Sequence, residues 1–268
     1  MTFTKTIESL MTLKSEKSRK FKDTRERSKD RGYLVIKRND LIQKSRHRMD
    51  LQEQKVILFL ISKVKPHDKN FTEQVFSISE FCEVCGLDNK SGGNYSCIKK
   101  TLQSIRDRSI WITLDDGSET TLAWINRVHI EKHSGIVQLK LDEMLKPYLL
   151  ELQENFTQYE LLNILTMQSQ YSIRLYELLK SYEYRKIISF EIDELKHMLF
   201  AENYQLHNDF KKRVIDIAIR EINALTDISV TYEFIKVGRK FSQISFTICH
   251  KYMLEKFKTG QETIQSIR

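Results

Sequence analysis

A short alternating stretch occurs twice in the chain. Residues 76–81 read FSISEF and residues 190–195 read FEIDEL, with Phe, Ile and Glu at matching places. Phe and Ile stand two positions apart in both copies, so both side chains lie on one face of a strand. Ser79 and Asp193 then occupy the position expected of a helix N-cap. The repeat predicts that one small module is built twice.

The segments around the two copies also correspond. Upstream of each lies an apolar stretch with helical spacing, LQEQKVILFLISKV at residues 51–64 and YSIRLYELLKSY at residues 171–182. Downstream, EFCEVCGL and ELKHMLFA predict short helices, and longer amphipathic helices follow near residues 95–108 and 208–225. The sequence thus predicts the order helix, strand, short helix and longer helix in both halves of the chain.

Each half then ends in a predicted β hairpin. The first, WITLDDGSETTLAWINRVHI, turns at Asp116-Gly117, and the second, ISVTYEFIKVGRKFSQISFTI, turns at Val237-Gly238. Helices, strand and hairpin in this order make a winged helix-turn-helix module. The expected fold class is therefore α+β, with tandem winged-helix domains formed by two pseudo-repeated modules.

Length and composition are consistent with two such modules. The chain has 268 residues, 40% of them hydrophobic, and only 8 Gly and 2 Pro, which favours regular elements over long loops. We expect a basic, flexible tail at 1–32, an N-terminal winged-helix domain at 33–152, a C-terminal winged-helix domain at 153–252 and a helical tail at 253–268. For the first of these, a solvated tail and a DNA-tracking arm are both open.

The charge balance favours an anionic partner. The formal net charge is +8 and the isoelectric point is about 9.1, which suits nucleic acid, although an acidic membrane surface or ribosomal RNA would suit it equally well. No apolar run of about 18 residues occurs, and the polar start MTFTKTIESLMTLKSEK does not resemble a secretory signal. We therefore expect a soluble, cytoplasmic protein without a membrane partner.

The longer helix of the first half has one apolar face and one polar face. Ile98, Leu102 and Ile105 recur at helical spacing and predict the buried stripe. The opposite face carries amide and cationic side chains suited to base edges and phosphates, namely Lys99, Lys100, Gln103 and Arg106. A solvated face of a basic protein has the same composition, so both interpretations are open.

The corresponding helix of the second half leaves a narrower polar strip. A broad apolar arc predicts packing on three sides, and it includes Phe210, Val214, Ile215, Ala218, Ile219, Ile222 and Leu225. The remaining strip carries Lys212, Arg213, Arg220 and Asn223. A rigidly held strip suits direct base readout, since Arg and Lys pair with guanine and Asn pairs with adenine. A plain solvated face is the alternative.

The two hairpin turns differ in charge. The second carries Lys236, Arg239 and Lys240 around its glycine, and these cations suit phosphate or minor-groove contacts. The first, LDDGSE at residues 114–119, is acidic and would be repelled by a phosphate backbone. We therefore expect the second module to be the main DNA reader and the first to serve partly in protein contacts.

The chain lacks the motifs of replication enzymes. A rolling-circle nickase needs a closely spaced His pair, which His129 and His133 do not form, and no GxxxxGK[ST] stretch supports a P-loop ATPase. Cys82, Cys85 and Cys97 lack the second close pair of a zinc site, and Cys82 and Cys85, three apart on a predicted short helix, are expected to be small buried hydrophobes. We expect no catalytic residue, no cofactor and no metal.

Several stretches resemble a known family. YSIRLYELLKSY, FEIDELK and KKRVIDIAIREIN look like parts of the iteron-binding plasmid replication initiators, which have two winged-helix domains. VIKRNDLIQKSRHRMDLQEQKVILFLI resembles the start of their first domain, and FTQYELLNILTMQSQYSIRLYELL resembles their domain junction. The resemblance covers residues 33–250. Within it, Arg174 either meets a phosphate or pairs internally with Glu177 or Glu183.

The resemblance implies a function as well as a fold. Such initiators bind repeated origin sites in double-stranded DNA, help to open an adjacent AT-rich region in theta-type replication, and bring in the host initiator and the replicative helicase. A monomer acts at the origin, and a dimer represses its own promoter.

By position, the family's base-reading helix falls on Lys212, Arg213, Arg220 and Asn223. The first-domain helix at residues 99–106 adds backbone contacts, and the first domain also serves in dimerisation. Two modules on successive major grooves would cover about two turns, or about 20 base pairs. A winged-helix transcriptional regulator without a replication role is the alternative function.

Overall fold

The computed structural model describes residues 33–65, 67–84, 93–131, 134–238 and 240–252. Its helices are α1 (Asn39–Gln43), α2 (Leu51–Ser62), α3 (Ile78–Val84), α4 (Gly93–Arg106), α5 (Lys146–Leu149), α6 (Leu162–Leu165), α7 (Gln170–Ser181), α8 (Ile192–Leu199), α9 (His207–Phe210) and α10 (Asp216–Leu225). A π-helical turn (Lys211–Ile215) joins α9 to α10 in one helical run, called the 207–225 helix. No helix within the described ranges is long and apolar enough to cross a membrane.

The strands form four antiparallel sheets within the described residues. They are β1 (Leu34–Arg38), β2 (Ser45–Arg46), β3 (Gln74–Ser77), β4 (Ser109–Thr113), β5 (Glu119–Ala123), β6 (Ile125–Ile130), β7 (Ile136–Leu141), β8 (Phe156–Glu160), β9 (Ile187–Glu191), β10 (Ile228–Val237) and β11 (Lys240–His250). The strand orders are β1-β8, β2-β4-β5, β3-β7-β6 and β9-β11-β10.

The FSISEF and FEIDEL stretches occupy equivalent places in two winged-helix modules. β3 pairs with β7 through Phe76 and Val137, and β9 pairs with β11 through Phe190 and Ile244. In both modules this last strand of the wing also pairs with the strand before it, giving matching orders β3-β7-β6 and β9-β11-β10. Phe76 and Phe190 are both buried. The prediction of two pseudo-repeated modules in an α+β chain is therefore confirmed.

The wing of the first module is not the hairpin that the sequence analysis assigned to it. β4 and β5 do form a hairpin at the acidic turn, where Gly117 takes a φ of 81°. This hairpin pairs with β2 instead of β3. The strands in the wing position are β6 and β7, and Gly135 between them has a φ of 68°. The assignment was wrong because a turn signal identifies a hairpin without showing which further strand joins it.

The short helices begin earlier than predicted. α3 begins at Ile78, and the Ser77 hydroxyl accepts a hydrogen bond from the Glu80 backbone N–H at 2.9 Å. α8 begins at Ile192 without a side-chain cap. Ser79 and Asp193 therefore lie inside the first helical turn, and their prediction as N-caps was wrong. In both places the helix begins two residues after the buried Phe of the strand.

The two modules share one apolar core. Its largest buried side chains come from both halves of the chain and include Phe59, Trp124, Tyr176 and Phe246. β1 pairs with β8 and packs against α2, while β8 packs against α7. The pairing of β1 with β8 joins residues on either side of the boundary expected after residue 152, and that boundary stays a prediction.

A group of charged and polar side chains lies inside this core, centred on α7. The Glu177 carboxylate pairs with the Lys37 ammonium of β1 and accepts a hydrogen bond from the Tyr159 hydroxyl of β8. Burial lowers the pKa of the Lys37 ammonium and raises the pKa of the Tyr159 hydroxyl well above its ordinary value. The Lys37–Glu177 ion pair and the Tyr159–Glu177 hydrogen bond therefore join β1 and β8 to α7. In this buried environment each charge needs its partner.

Substitution Glu177→Gln tests the weight of this buried pair. The variant leaves the Lys37 ammonium without a counter-charge in the core, so we expect the free energy of unfolding to fall by about 3–5 kcal/mol. Urea denaturation measures the loss. The matched control is Glu80→Gln, which breaks the more exposed pair with Lys63 and should cost about 1 kcal/mol or less. Equal losses in the two variants would contradict the prediction.

Candidate nucleic-acid interface

The polar face of α4 points to solvent, as the sequence predicts. Its side chains Lys99, Lys100, Gln103 and Arg106 are all exposed. The opposite face enters the core through Ile98, Leu102 and Ile105. Since α4 packs against α2, the orientation of the exposed face is fixed by the core of the first module. Three cations and an amide on one solvent-facing surface can contact phosphate oxygens and base edges.

The 207–225 helix also presents cations on a packed support. Lys212, Arg213 and Arg220 are exposed. Its inner side is fully buried through Phe210, Val214, Ile215, Ala218 and Ile222, and α10 packs against α7 and β10. The π-helical turn widens the helix where Lys212 and Arg213 lie, a local irregularity that is frequent at functional sites. The exposed cations therefore project from a rigid helix.

The carboxylates on this helix are mostly occupied by internal partners. Asp216 pairs with Lys211 at 2.8 Å, and this hydrogen bond raises the pKa of Lys211. Glu221 accepts hydrogen bonds from the backbone N–H groups of Gln168 and Ser169 at 3.1 and 3.3 Å, next to the start of α7. The third carboxylate, Asp209, lies 3.7 Å from Arg213, so the exposed strip carries three cations against one carboxylate and keeps a positive character.

Asn223 does not belong to the exposed strip. Its Nδ2 donates to the Val230 carbonyl oxygen at 2.8 Å, and its Oδ1 accepts from the Val230 N–H at 2.7 Å. Both ends of the amide are therefore occupied by the backbone of β10, and the side chain is half-buried. The structure contradicts the expected role of Asn223 as an adenine reader, because an amide that holds a strand cannot present the same groups to a base.

The tip of the second wing is exposed and basic. Lys236 and Lys240 are exposed on either side of the turn, where Gly238 has a φ of 65°. Arg239 lies outside the described residues. The Lys236 ammonium is 4.7 Å from the centre of the Phe241 ring, which stacks on His207 of α9 at 4.3 Å. The wing therefore packs against the beginning of the 207–225 helix.

The wing of the first module offers two side chains that the sequence analysis missed. Arg127 and His129 are exposed on β6, the strand that takes the place of β10 in the first module. The sequence contained a signal for them, because two residues that stand two positions apart in an alternating stretch lie on the same face of a strand. It was overlooked because the preceding acidic hairpin had been assigned to the wing.

Arg174 has neither of the roles expected for it. Its Nη2 donates to the carbonyl oxygens of Ile42 and Ser45 at 2.8 and 2.7 Å, and the side chain is 5% exposed. A guanidinium buried in this way does not face a phosphate. Its hydrogen-bond partners are backbone carbonyls of the first module in place of Glu177 or Glu183.

Of the two cysteines expected to be buried hydrophobes, the structure describes Cys82. Cys82 is buried, whereas Cys97 is exposed on α4, and Cys85 lies outside the described residues. Cys97 is one residue removed from the buried Ile98, so the helical rotation carries it to the surface. Within the described ranges, no three His, Cys, Asp or Glu side chains converge on a place where a metal could bind.

Substitution Asn223→Ala separates a structural role from base reading. The variant loses two hydrogen bonds to the buried Val230, so we expect the free energy of unfolding to fall by about 1–3 kcal/mol. The control Asn208→Ala changes an exposed asparagine of the same helical run and should cost about 0.5 kcal/mol or less. Thermal unfolding measures both losses. An altered base preference at unchanged stability would return Asn223 to the set of readers.

Two protein-family models match the chain in the order of its modules. The model described as "Initiator Replication protein, WH1" matches residues 34–180, and "Initiator Rep protein, WH2" matches residues 191–248. A "Replication initiation protein" of Escherichia coli is 25% identical over 229 residues, which cover 80% of this chain and 69% of that protein. The "PI protein" of Escherichia coli is 29% identical over 147 residues, so the match spans about half of each protein, 48%.

A solved structure shares the fold. The crystal structure of the Pi initiator protein in complex with iteron DNA has a TM-score of 0.68 at 22% identity, and the match covers 82% of this chain and 98% of that one. At this identity the likeness shows the fold alone. The family models, in contrast, match most of the sequence directly. The chain belongs to the family of initiator replication proteins with two winged-helix domains.

Proposed function

We propose that this protein initiates theta-type plasmid replication by binding repeated sites, or iterons, in the double-stranded DNA of an origin. The observation that supports it is the exposure of cationic strips on two packed helices, one in each winged-helix module. The role in replication comes from the family. The kind of site comes from a protein of the same fold whose structure contains iteron DNA.

Two linked modules suit one continuous site. Each would place its longer helix in a major groove, so that one monomer covers about two turns, or about 20 base pairs. In the second module, Lys212, Arg213 and Arg220 would read bases, because they project from a helix that is packed on its other sides. In the first module the backbone contacts would come from Lys99, Lys100, Gln103 and Arg106.

The wings would add contacts that depend little on base sequence. At the second wing, Arg239 and Lys240 are the proposed phosphate contacts. At the first wing, the exposed Arg127 and His129 of β6 take the place that the acidic turn had been expected to hold. Both modules would then bind the phosphate backbone, and base discrimination would come mainly from the second.

Further parts of the proposed role rest on the resemblance to the family. The protein would act in the cytoplasm without catalysing a reaction. It would help to open an adjacent AT-rich region and bring in the host initiator and the replicative helicase. A monomer would act at the origin, and a dimer formed through the first domain would repress its own promoter.

An origin-dependent replication assay tests the proposal against a winged-helix transcriptional regulator. A plasmid without another origin receives the gene and its flanking DNA, and Escherichia coli is transformed with it. We expect the plasmid to be maintained, whereas the same plasmid with an early stop codon in the gene should be lost. Loss of both plasmids, together with repression of a reporter by the protein, would show a regulator.

Substitution Arg220→Ala tests the assignment of base reading to the second module. We expect binding to a cognate site to weaken by about 1–3 kcal/mol and base preference to relax at one position, because base contacts carry discrimination. The control Lys100→Ala should weaken binding to all sequences and reduce the salt dependence by about one unit, as loss of a phosphate contact does. Fluorescence anisotropy with cognate and random duplexes measures both. An equal loss on both duplexes for Arg220→Ala would contradict the assignment.

A further inference from the structure

Arg46 connects the two modules through three contacts. Its backbone lies in β2, which pairs with β4 in the first module. Its side chain reaches the second module, where Nε donates to the His197 carbonyl oxygen at 3.3 Å and Nη2 donates to the Glu202 carboxylate at 2.5 Å. The guanidinium carbon also lies 4.0 Å from the centre of the Phe200 ring.

These three partners surround the C-terminal end of α8. His197 belongs to the last turn of the helix, where its carbonyl oxygen also accepts the Phe200 backbone N–H at 3.3 Å and where a cation is favoured by the helix dipole. Phe200 ends α8 in the left-handed region, with a φ of 53°. Arg46 therefore stabilises the C-terminal end of α8, where the chain turns toward the 207–225 helix.

The position of the C-terminal end of α8 determines where the 207–225 helix begins. Only the short segment 200–206 separates α8 from it. The Lys196 ammonium of α8 lies 5.4 Å from the centre of the Phe210 ring, and α8 itself packs against β9 and β11. α8 is thus connected to the 207–225 helix by the segment 200–206 and by the contact of Lys196 with Phe210, and Arg46 holds the end of α8 from the first module.

The same part of the first module is also held from α7. Arg174 donates to the backbone carbonyl of Ser45, the residue next to Arg46, and Gln43 Nε2 donates to the Ser181 hydroxyl at 3.0 Å. Residues 42–46 therefore form a link that contacts both α7 and α8. Arg174 is buried in the core, whereas the Arg46 side chain is 34% exposed, so Arg46 can be changed with less damage to the fold.

We propose that Arg46 is a positioning residue that fixes the spacing between the two DNA-contacting helices, and with it the half-site spacing that the protein accepts. The inference rests on the proposed function, because it requires both modules to bind one duplex. Two linked modules bind more tightly when their relative position is set before binding, since less conformational freedom is lost. The shared core and the β1–β8 pairing hold the two halves together, and Arg46 adds the contact that sets the end of α8 relative to β2.

The test compares spacing preference as well as affinity. The probe is a duplex that the wild-type protein enriches from a randomised library, and further probes carry one or two extra base pairs between its halves or lack the first-module half. We expect Arg46→Ala to bind the enriched duplex about tenfold more weakly than wild type. Extra base pairs between the halves should weaken the binding of Arg46→Ala less than they weaken the binding of wild type. The affinity of the variant for the second-module half alone should equal that of wild type.

Three variants control for other causes. Arg38→Ala removes an arginine of β1 whose partner, Asp40 at 2.7 Å, belongs to the same module, and it should keep the wild-type spacing profile. Arg46→Lys keeps one charge beside Glu202 but loses the planar fork, and it should be intermediate. Glu202→Gln should change the profile in the same direction, and it should add little to Arg46→Ala because both remove one shared contact.

The outcomes separate this inference from the function on which it rests. A wild-type spacing profile in folded Arg46→Ala would overturn the positioning role, even if its affinity fell. Thermal unfolding confirms that the variant is folded. If the wild-type protein itself enriched no duplex, or one whose recognised bases fit a single module, the proposed function would be at fault.

Discussion

Two charged side chains of α7, Arg174 and Glu177, are buried in the core. Removing such groups from water is costly unless partners are supplied inside the protein. The partners come from outside α7, since Lys37 of β1 and Tyr159 of β8 meet Glu177 while the backbone of residues 42–45 meets Arg174. A different packing of β1 or β8 would leave a buried charge without its counterpart, so this polar group selects one arrangement of the strands around α7.

The same helix also holds the second module. Its Tyr176 hydroxyl and Lys180 ammonium both donate to the Asp227 carboxylate, at 2.8 and 2.7 Å. Asp227 immediately precedes β10, the first strand of the second wing. The SIRLYELL stretch that carries the resemblance to replication initiators therefore acts as a connection between modules. Its charged and aromatic residues are buried because they join elements, and this explains why so distinctive a stretch lies away from the proposed DNA contacts.

How far the sequence predicts the fold and the interface depends on how local each signal is. The repeat predicted both modules, and helical spacing alone placed the side chains of α4 and the cations of the 207–225 helix on exposed faces. The Asn223 amide instead faces Val230, so its role follows from the path of β10. Arg174 finds its acceptors at Ser45 and Ile42, 129 and 132 positions away. The spacing of residues along one helix does not predict hydrogen-bond partners that are so far away in the sequence.

The acidic hairpin does not form the wing of the first module, so its charge is no argument against DNA binding by that wing. At a wing, its carboxylates would oppose a phosphate backbone. The hairpin instead pairs with β2, where the Lys44 ammonium lies 2.5 Å from Asp115 and the Asp116 carboxylate accepts a hydrogen bond from the Ser118 hydroxyl at 2.6 Å. β2 is also the strand from which Arg46 reaches the second module. The acidic hairpin is therefore compatible with DNA binding by the first module, since it pairs with β2 and leaves β6, with its exposed Arg127, as the outer strand of the wing.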